Sequence, residues 1–292
     1  MEGKVGIIGG SGFYAMEGIK KVRAVRVPTP FGEPSDDFIA GSLEGRDVVF
    51  LARHGKSHMI SPSEINYPAN IYGMKKLGVD RIISVSACGS LKEEIKPLDI
   101  VIPDQFVDRT NQARRMTFFG EGVVAHCPFA EPVCPDLAKA LYDAGCASGA
   151  SMRLGGTYLN MEGPQFSTKA ESKLYRSWGM DIIGMTNMAE ARLAREAEIC
   201  YATLACVTDY DCWHMDESQE SVTVEMIVAN LLKNVETSRN IVKAVLPKLG
   251  FERRCACASA LKDAIITRPD AITKAVRKRL EPIIGKYVNC SK

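Results

Sequence analysis

Short runs of consecutive apolar residues recur along the chain, and several of them end in small or polar residues. Such near-continuous apolar runs are typical of strands in a sheet that is covered on both faces. We predict strands at residues 5–10, 47–52, 81–87, 99–104, 181–186 and 199–209. The residues that follow these strands are the candidates for chemistry, because open α/β sheets bind ligands outside the carboxyl ends of their strands.

Between the strands, apolar residues recur at helical spacing. Helices are predicted at residues 68–78, 136–145, 167–179 and 187–198, and a longer one at 222–249. The long helix has an apolar face made of Leu231, Leu232, Val235, Val242 and Leu246. The alternation of strands and helices predicts an α/β fold with a twisted, largely parallel central sheet flanked by helices.

No repeat, low-complexity tract or linker divides the chain. We therefore predict one domain over residues 1–250, with residues 251–292 as a helical extension packed on it. In that extension, short helical segments are expected around Leu261 and at residues 271–280.

Charge and composition narrow the class of partner. The 292 residues contain 37 Lys plus Arg and 35 Asp plus Glu, a formal net charge of +2. This balance provides no broad electrostatic surface for nucleic acid or an anionic membrane, so a small-molecule ligand is expected. The opening apolar run is short and broken by glycines, unlike a signal peptide or a membrane span, and we expect a cytoplasmic protein.

The chain contains ten cysteines, a high count for a cytoplasmic protein. They lack the C-x-x-C pairs of structural zinc sites, so no metal is predicted, and most are expected to be buried as small hydrophobes. Cys255 and Cys257, one residue apart, are predicted to form a disulfide, with two reduced thiols as the alternative. Cys134, Cys200 and Cys206 are further candidates whose pairing stays open.

A glycine-rich segment, GIIGGSGFYA, ends the first strand. It formally fits a dinucleotide-binding fingerprint, which requires a helix that opens at the glycines and an acidic residue after the next strand. Met16-Glu17-Gly18 interrupts such a helix. We predict instead a tight turn that presents backbone N–H groups and the Ser11 hydroxyl to an anion, with a turn that binds nothing as the alternative.

Arg53 and His54 directly follow the second predicted strand. A planar guanidinium can bind phosphate with two donors, so we interpret these residues as an oxyanion clamp. The alternative is an Arg in a surface ion pair. His58, farther along, is interpreted as structural.

The third predicted strand ends in the small residues Ser86, Ala87, Cys88 and Gly89. Small side chains at this edge of the sheet let the backbone approach a ligand closely. Cys88 is expected to be buried and inert, because the sequence places no His beside it as an activating base.

Two predicted helix N-termini follow candidate binding residues. Thr168 and Glu171 form a capping-box pattern, so Phe166 and Ser167 lie just before a helix, where an aromatic ring either stacks on a base or packs as a hydrophobic staple.

The second of these N-termini follows Met185 and Thr186. Asn187 is predicted to cap this helix, with Glu190 at the third position. Because a helix N-terminus favours anions, Thr186 is predicted to be a second phosphate contact.

Asp209 and Asp211 end the last predicted strand, in VTDYDCWH. In an extended chain these two carboxylates would face the same side. Such a pair suits a metal, acid–base chemistry or recognition of a ring with two N–H donors, although a hard divalent cation would require more oxygen ligands. The start of a polar loop is the alternative.

Together the segments GIIGGSGFY, TPFGEPSD, ARHGKSH, ACGSL, MEGPQFST, GMTNM and ATLACVTDYDCWH resemble the 5'-methylthioadenosine phosphorylases, a branch of the trimeric purine nucleoside phosphorylases, over residues 5–249. The resemblance implies a mixed α/β sheet and the phosphorolysis of methylthioadenosine in methionine and purine salvage. It also implies a homotrimer, with pairing of trimers into hexamers left open.

The same resemblance implies roles for individual residues. Phosphate would be bound by Ser11, Arg53, His54, Ser86, the Ala87 backbone and Thr186. The nucleoside would be bound by Met185 at the ribose, Phe166 and Ser167 beside the purine, Asp209 and Asp211 at N7 and the exocyclic amine, Val224, Ile227 and Val228 around the alkylthio group, and His126 of a neighbouring subunit.

The expected mechanism requires phosphate as a co-substrate and neither a metal nor a redox cofactor. Asp209 would protonate the departing adenine, and the neighbouring Asp211 carboxylate would raise the pKa of Asp209. Two alternatives remain open: a phosphorylase of 6-oxopurine nucleosides or methylthioinosine, in which Asn is expected in place of Asp209, and a non-catalytic dinucleotide- or nucleoside-binding module.

Overall fold

A computed structural model describes residues 3–10, 16–111, 113–214 and 224–288. Eleven strands lie within these residues. They are β1 (Lys4–Gly9), β2 (Lys20–Val25), β3 (Phe38–Leu43), β4 (Arg46–Ala52), β5 (Val79–Ser90), β6 (Ile100–Ile102), β7 (Gln105–Arg109), β8 (Met152–Leu154), β9 (Thr157–Met161), β10 (Ile182–Gly184) and β11 (Cys200–Asp209).

The strands form one mixed, largely parallel sheet, as predicted. Its main path runs β2-β3-β4-β1-β5-β10-β9-β7, while β11 pairs with β5 and β6, and β6 pairs with β8. The long strand β5 is the branch point: one edge pairs with β1 in parallel and then with β10 in antiparallel orientation, and the other edge pairs in parallel with β11. The carboxyl ends of β1, β4, β5 and β11 therefore meet at one side of the sheet.

Seven α-helices lie within the described ranges. They are α1 (Tyr67–Lys76), α2 (Pro135–Ala147), α3 (Lys169–Ser177), α4 (Asn187–Glu196), α5 (Val224–Val245), α6 (Lys274–Arg279) and α7 (Glu281–Ile284). The structure confirms the predicted positions of α1 to α5 to within a few residues at their ends. None of the described helices combines the length and the apolar composition needed to cross a bilayer.

Two hydrophobic layers cover the sheet, and β1 shows how one strand serves both. Its side chains alternate: Ile8 packs with α1, α4 and α7, whereas Val5 and Ile7 pack with α2 and α5. In the C-terminal segment, Leu261 and Ile284 are completely buried in the first layer. The end of the described chain thus contributes to the same core as the first strand.

Several predictions about local structure were wrong. Strands β2, β3, β7, β8 and β9 were not predicted: β7, β8 and β9 have five residues or fewer, β2 is almost entirely exposed, and Gly41 and Ser42 interrupt the apolar run of β3. Val235 and Val242 on α5 and Leu246 just after it are buried as predicted, but Leu232 is 63% exposed. Beyond the undescribed residues 11–15, the chain enters a turn and then β2 instead of a helix, which argues against a dinucleotide site.

The cysteine predictions also need correction. Cys255 and Cys257 are free thiols, so the predicted disulfide is not formed. Spacing along the sequence gave no sign of a metal site, yet Cys134, Cys200, Cys255 and Cys257 come together in the fold. Local spacing could not predict this cluster, because its cysteines come from three segments that are distant in sequence.

Candidate active site

A cavity of about 270 Å³ opens at the carboxyl ends of β1, β4, β5, β10 and β11. This is the edge at which the sequence predicted chemistry. The predicted site residues that line it are Arg53, His54, Ser86, Ala87, Phe166, Met185, Thr186, Asp209 and Asp211. The fold therefore collects side chains from five separate segments around one space.

The other predicted site residues either lie outside the cavity lining or are not among the described residues. Ser11 is not among the described residues, and neither are the side chains of Val224 and Ile227. Ser167 is buried beside the cavity, where its carbonyl accepts a hydrogen bond from the Cys212 thiol at 3.2 Å. Val228 is 46% exposed and is not part of the cavity wall.

His126 is exposed and does not line the cavity of its own chain. Its backbone N–H donates to the Ala264 carbonyl at 2.9 Å, which fixes this segment against the C-terminal region. Its assignment to a neighbouring subunit stays a prediction.

Arg53 is not a surface residue but the centre of a buried network. Its Nε donates to Glu190 at 2.5 Å, Nη1 donates to the Val85 carbonyl at 2.9 Å, and Nη2 donates to Ser84 Oγ at 2.6 Å. Both charged side chains are only 2% exposed. These three hydrogen bonds hold the guanidinium in one orientation at the cavity wall, and the buried carboxylate of Glu190 offsets its charge.

His54 lies beside Arg53 with a defined tautomer. Its Nδ1 is 2.8 Å from the Ile60 carbonyl, which can only accept, so Nδ1 carries the proton and Nε2 is the acceptor. Burial, reinforced by the charge of Arg53, lowers the pKa of His54 to about 4. The imidazole is therefore neutral at physiological pH.

His58, interpreted as structural from the sequence, also lines the cavity. Its ring stacks on that of His54 with 4.2 Å between the ring centroids. The sequence signal that was available is its spacing of four residues from His54, which alone does not predict stacking in a turn.

The start of α4 differs from the prediction by one residue. Its N-cap is Thr186, whose side chain makes no capping hydrogen bond, and Glu190 binds Arg53 instead of completing a capping box. Asn187 is completely buried and accepts from the Ser86 hydroxyl at 2.8 Å. This arrangement fixes Ser86 and leaves the Thr186 hydroxyl at a helix N-terminus, where an anion is favoured.

Asp209 and Asp211 lie on one side of the cavity, but for a different reason than predicted. β11 ends at Asp209, and Asp211 is in a turn with a φ of 51°. The Asp211 backbone N–H donates to Asp209 Oδ1 at 2.8 Å, and the Thr208 hydroxyl donates to Asp209 Oδ2 at 2.7 Å. The turn, and not the alternation of an extended strand, brings the two carboxyl groups together.

Gly89 makes room for this pair. A Cβ at this position would lie 3.0 Å from Asp209 Oδ1 and 3.4 Å from the Asp211 Cβ. The neighbouring Cys88 is buried, and burial raises the pKa of its thiol well above the ordinary value. Cys88 is therefore a protonated, poor nucleophile at neutral pH, in agreement with the sequence interpretation.

The pKa values of both aspartates are raised, chiefly by burial. The charge of Asp209 adds to the raised pKa of Asp211, and hydrogen bonds from the Thr208 hydroxyl and the Asp211 N–H oppose the rise in the pKa of Asp209. The predicted effect of Asp211 on the pKa of Asp209 stays a prediction, because two neighbouring carboxyl groups titrate as a pair. Asp211 Oδ2 is buried and has no hydrogen-bond partner among the described residues. A buried acceptor of this kind is available to a donor, and the Ser172 and Ser167 hydroxyls, which lower the pKa of Asp211, lie near the same carboxyl group.

Apolar side chains form the remaining wall. Met161 and Met185 lie with Leu231 and Val235, which are four residues apart on one face of α5. The predicted alkylthio residues lie one to two turns earlier on the same helix. Phe166, 59% exposed, is also part of the wall and leads to solvent.

Met185 is positioned by residues that the sequence did not single out. Its carbonyl accepts hydrogen bonds from Arg114 Nη1 and from Asn160 Nδ2, the latter at 3.1 Å. Arg114 is in turn paired with Glu162 at 2.9 Å. No local pattern marks these residues, because their partners are distant in sequence.

Comparison with known proteins gives a consistent result. Residues 4–247 match the Phosphorylase superfamily. The S-methyl-5'-thioadenosine phosphorylase of Koribacter versatilis is 58% identical over 287 residues, covering 98% of this chain and 97% of that protein. The enzyme of the same name from Geobacter sulfurreducens is 58% identical over 288 residues, covering 99% of this chain and all of the relative.

Solved structures agree with the sequence relatives. A methylthioadenosine phosphorylase from an Antarctic soil metagenomic library has a TM-score of 0.90 and 47% identity, over 97% of this chain and 99% of that one. The methylthioadenosine phosphorylase of Schistosoma mansoni in complex with adenine has a TM-score of 0.83 and 38% identity, over 89% of this chain and 96% of its own.

Proposed function

The chain belongs to the phosphorylase superfamily and, within it, to the S-methyl-5'-thioadenosine phosphorylases, and from this premise we propose that its cavity catalyses the phosphorolysis of methylthioadenosine to adenine and 5-methylthioribose 1-phosphate. The observation that carries the proposal is the pair of buried aspartates in the cavity wall, which the hydrogen bond from the Asp211 N–H to Asp209 holds together.

The aspartates suit the two polar edges of adenine. An exocyclic amine donates two N–H groups, and Asp211 Oδ2 is a buried acceptor without a partner among the described residues. At N7 the departing base needs a proton, and burial raises the pKa of Asp209 in the direction that keeps a proton available. A 6-oxopurine would instead present a carbonyl oxygen to a carboxylate, which is repulsive.

Proton and charge balance follow from the reactants. A phosphate oxygen forms a bond to C1' as the bond from C1' to the purine breaks. Monohydrogen phosphate brings one proton and adenine leaves with one, so Asp209 acts as a relay and is regenerated. As the sugar becomes cation-like, the adjacent phosphate charge stabilises it.

We assign phosphate to the opposite end of the cavity, at Arg53, His54, Ser86, Ala87, Thr186 and, outside the described residues, Ser11. Glu190 offsets the charge of Arg53, so the N-terminus of α4 and the Thr186 hydroxyl take a larger share of anion binding than the sequence suggested. The Ser86 hydroxyl donates its proton to Asn187, so it would accept a hydrogen bond from protonated phosphate. Neutral His54 can accept a hydrogen bond from protonated phosphate through Nε2. The reaction changes no oxidation state, and the proposal includes no metal or redox cofactor.

The methylthio group would occupy the apolar wall formed by Leu231, Val235 and the two methionines, with Phe166 beside the purine. Val224, Ile227 and Val228 stay candidates for the end of this pocket. A thioether gains little from polar groups, so an apolar wall favours it over the 5' hydroxyl of adenosine.

We also propose a homotrimer in the cytoplasm, in which His126 completes a neighbour's site. The exposed position of His126, away from its own cavity, supports this role. Light scattering should give a mass three times that of one chain, and His126→Ala should then reduce nucleoside affinity without changing that mass. A monomer with full activity would refute the assembly and leave the reaction intact.

The function is tested by incubating the protein with methylthioadenosine, adenosine, inosine and methylthioinosine, with and without phosphate. We expect adenine and a sugar 1-phosphate from methylthioadenosine only when phosphate is present. Release of hypoxanthine in preference to adenine would identify the 6-oxopurine alternative. Binding without release of a base would identify a nucleoside-binding module.

A further inference from the structure

Four cysteines form a cluster outside the active-site cavity. The Sγ atoms of Cys134, Cys200, Cys255 and Cys257 all lie within 4.8 Å of one another. Cys134 precedes α2, Cys200 is the first residue of β11, and the other two flank the start of a 3-10 turn, Ala256–Ser259. Three segments that are distant in sequence thus direct their thiols to one point.

We propose that these four thiols bind one Zn²⁺ ion in a structural, tetrahedral site. With Zn–S bonds of about 2.3 Å, the sulfur atoms of such a site lie about 3.8 Å apart. The Sγ atoms of Cys200 and Cys255 are 3.3 Å apart, and the other pairs fall below the 4.8 Å limit. The separation of a disulfide, about 2.05 Å, is much shorter, and a disulfide joins sulfurs only in pairs.

The donor set selects the kind of metal. Four sulfur ligands suit a soft or borderline cation such as Zn²⁺ and exclude a preference for Mg²⁺ or Ca²⁺, which bind oxygen. Cys134, Cys200 and Cys257 are buried and Cys255 is partly buried. Four ligands in a mostly buried setting leave no open coordination position, which is typical of a structural rather than a catalytic zinc site.

Positive charge around the four cysteines would offset the negative charge of a zinc–thiolate site. Zn²⁺ with four thiolates has a net charge of −2, and Cys134 lies at the N-terminus of α2, whose dipole favours negative charge. A cavity of about 590 Å³ beside the cluster provides an entry path for the ion. Its charged lining residues are Arg81, Lys248, Arg253, Arg254, Asp136 and Glu252, an excess of two cations, although Arg81 and Arg253 also pair with Asp80.

The cluster lies far from the active site. Cys200 and Asp209 are the first and last residues of β11, so they are separated by about 30 Å at the usual rise per strand residue. A metal here would not touch the substrates. It would instead tie the segment that begins at Cys255 to α2 and β11, holding the C-terminal residues in the core.

Metal analysis of protein purified without chelator tests the proposal. We expect about one zinc per chain in the native protein and less than about 0.1 in Cys134→Ser and Cys257→Ser, because each loses one of four ligands. Cys146→Ser changes an exposed cysteine outside the cluster and should retain full zinc. Unchanged zinc in both cluster variants would overturn the assignment.

Two measurements on native protein keep the test decisive if the variants do not fold. Replacement of zinc by Co²⁺ should produce the visible absorption of a tetrahedral thiolate site. Removal of the metal should lower the midpoint of thermal unfolding by several degrees, and this result is independent of the proposed function. Protein without zinc refutes the proposal, whether alkylation of unreduced chains finds the four thiols free or cross-linked.

Discussion

At the scale of single residues, Asp211 is the least satisfied group at the cavity. It is buried, has a positive φ and leaves one oxygen without a partner among the described residues. Binding sites commonly retain such groups because the ligand supplies the missing partner, at the expense of the free protein's stability.

This position predicts a pH-dependent stability effect. The pKa of Asp211 in the folded protein is raised above its ordinary value of 3.8. Between pH 3.8 and that raised pKa, the folded protein therefore binds more protons than the unfolded one. The free energy of unfolding therefore falls as pH rises through this window, and the loss persists above it. Asp211→Asn removes the loss, by about 1.4 kcal/mol for each unit of pKa elevation.

Urea unfolding of the ligand-free protein checks the prediction. Asp211→Asn should be more stable than the native protein at pH 8, with a difference that shrinks as the pH falls toward 3.8, and should lose activity. Asp270→Asn, at a carboxylate that is 72% exposed, is the control and should change little. A variant less stable than the native protein at pH 8 would refute this account of Asp211.

Thr186 provides the clearest test of phosphate binding, because its side chain makes no capping bond in α4. Thr186→Val keeps the shape and removes the hydroxyl. Loss of a hydrogen bond to an anion is worth about 1.5–3 kcal/mol, so we expect the KM for phosphate to rise about 10- to 100-fold. The KM for methylthioadenosine, measured by steady-state kinetics, should be nearly unchanged. If both constants rise together, Thr186 does not contact phosphate specifically.

The sequence revealed the candidate residues better than it revealed their interactions. Asp209 and Asp211 were found because a carboxylate pair after an apolar strand is unusual. The turn at Asp211 and the hydrogen bond from its N–H to Asp209 were missed, since an i, i+2 pattern gives no information about φ. Arg53 was likewise found at its strand end, whereas its partner Glu190 lies 137 positions away.

At the scale of elements, α4 links the sheet to the phosphate end of the cavity. In its first turn, Asn187 accepts a hydrogen bond from the Ser86 hydroxyl, and Glu190 forms an ion pair with Arg53, the residue that follows β4. A single helix thus fixes side chains from two strands, so changes at this network should affect stability as well as catalysis.

Arg53→Ala should therefore be strongly destabilising. It leaves Glu190 buried without its charge partner, which costs about 3–5 kcal/mol in comparable sites. Arg268→Ala, which removes an exposed ion pair with Asp270, should cost less than about 1 kcal/mol. Denaturant unfolding compares the two. An Arg53→Ala protein as stable as the native one, but with a raised KM for phosphate, would instead support a simple clamp.

Element prediction succeeded where burial dictates the sequence pattern. The six predicted strands correspond to β1, β4, β5, β6, β10 and β11, most of which carry near-continuous apolar runs. β2, with the sequence KKVRAV, is almost entirely exposed, so its pairing with β3 has no apolar signature. Such strands form because a neighbour offers hydrogen bonds, and this information is not local.

At the scale of the whole molecule, the branch at β5 places nucleoside and phosphate groups in one cavity. One edge of this strand leads to β10 and Thr186, and the other pairs with β11, which ends at Asp209. The general α/β class followed from the alternation of strands and helices, but this branch did not, because strand order is fixed by long-range pairing.

The central claim is that Asp209 protonates a departing 6-aminopurine, and its most direct test compares kcat/KM for methylthioadenosine and methylthioinosine in the native protein and in Asp209→Asn. Asn keeps the shape of the side chain but has no proton to transfer. We expect the native protein to prefer methylthioadenosine. The variant should lose at least about 10²-fold on that substrate, and its relative preference should shift toward methylthioinosine. An unchanged rate on methylthioadenosine would remove Asp209 from the mechanism.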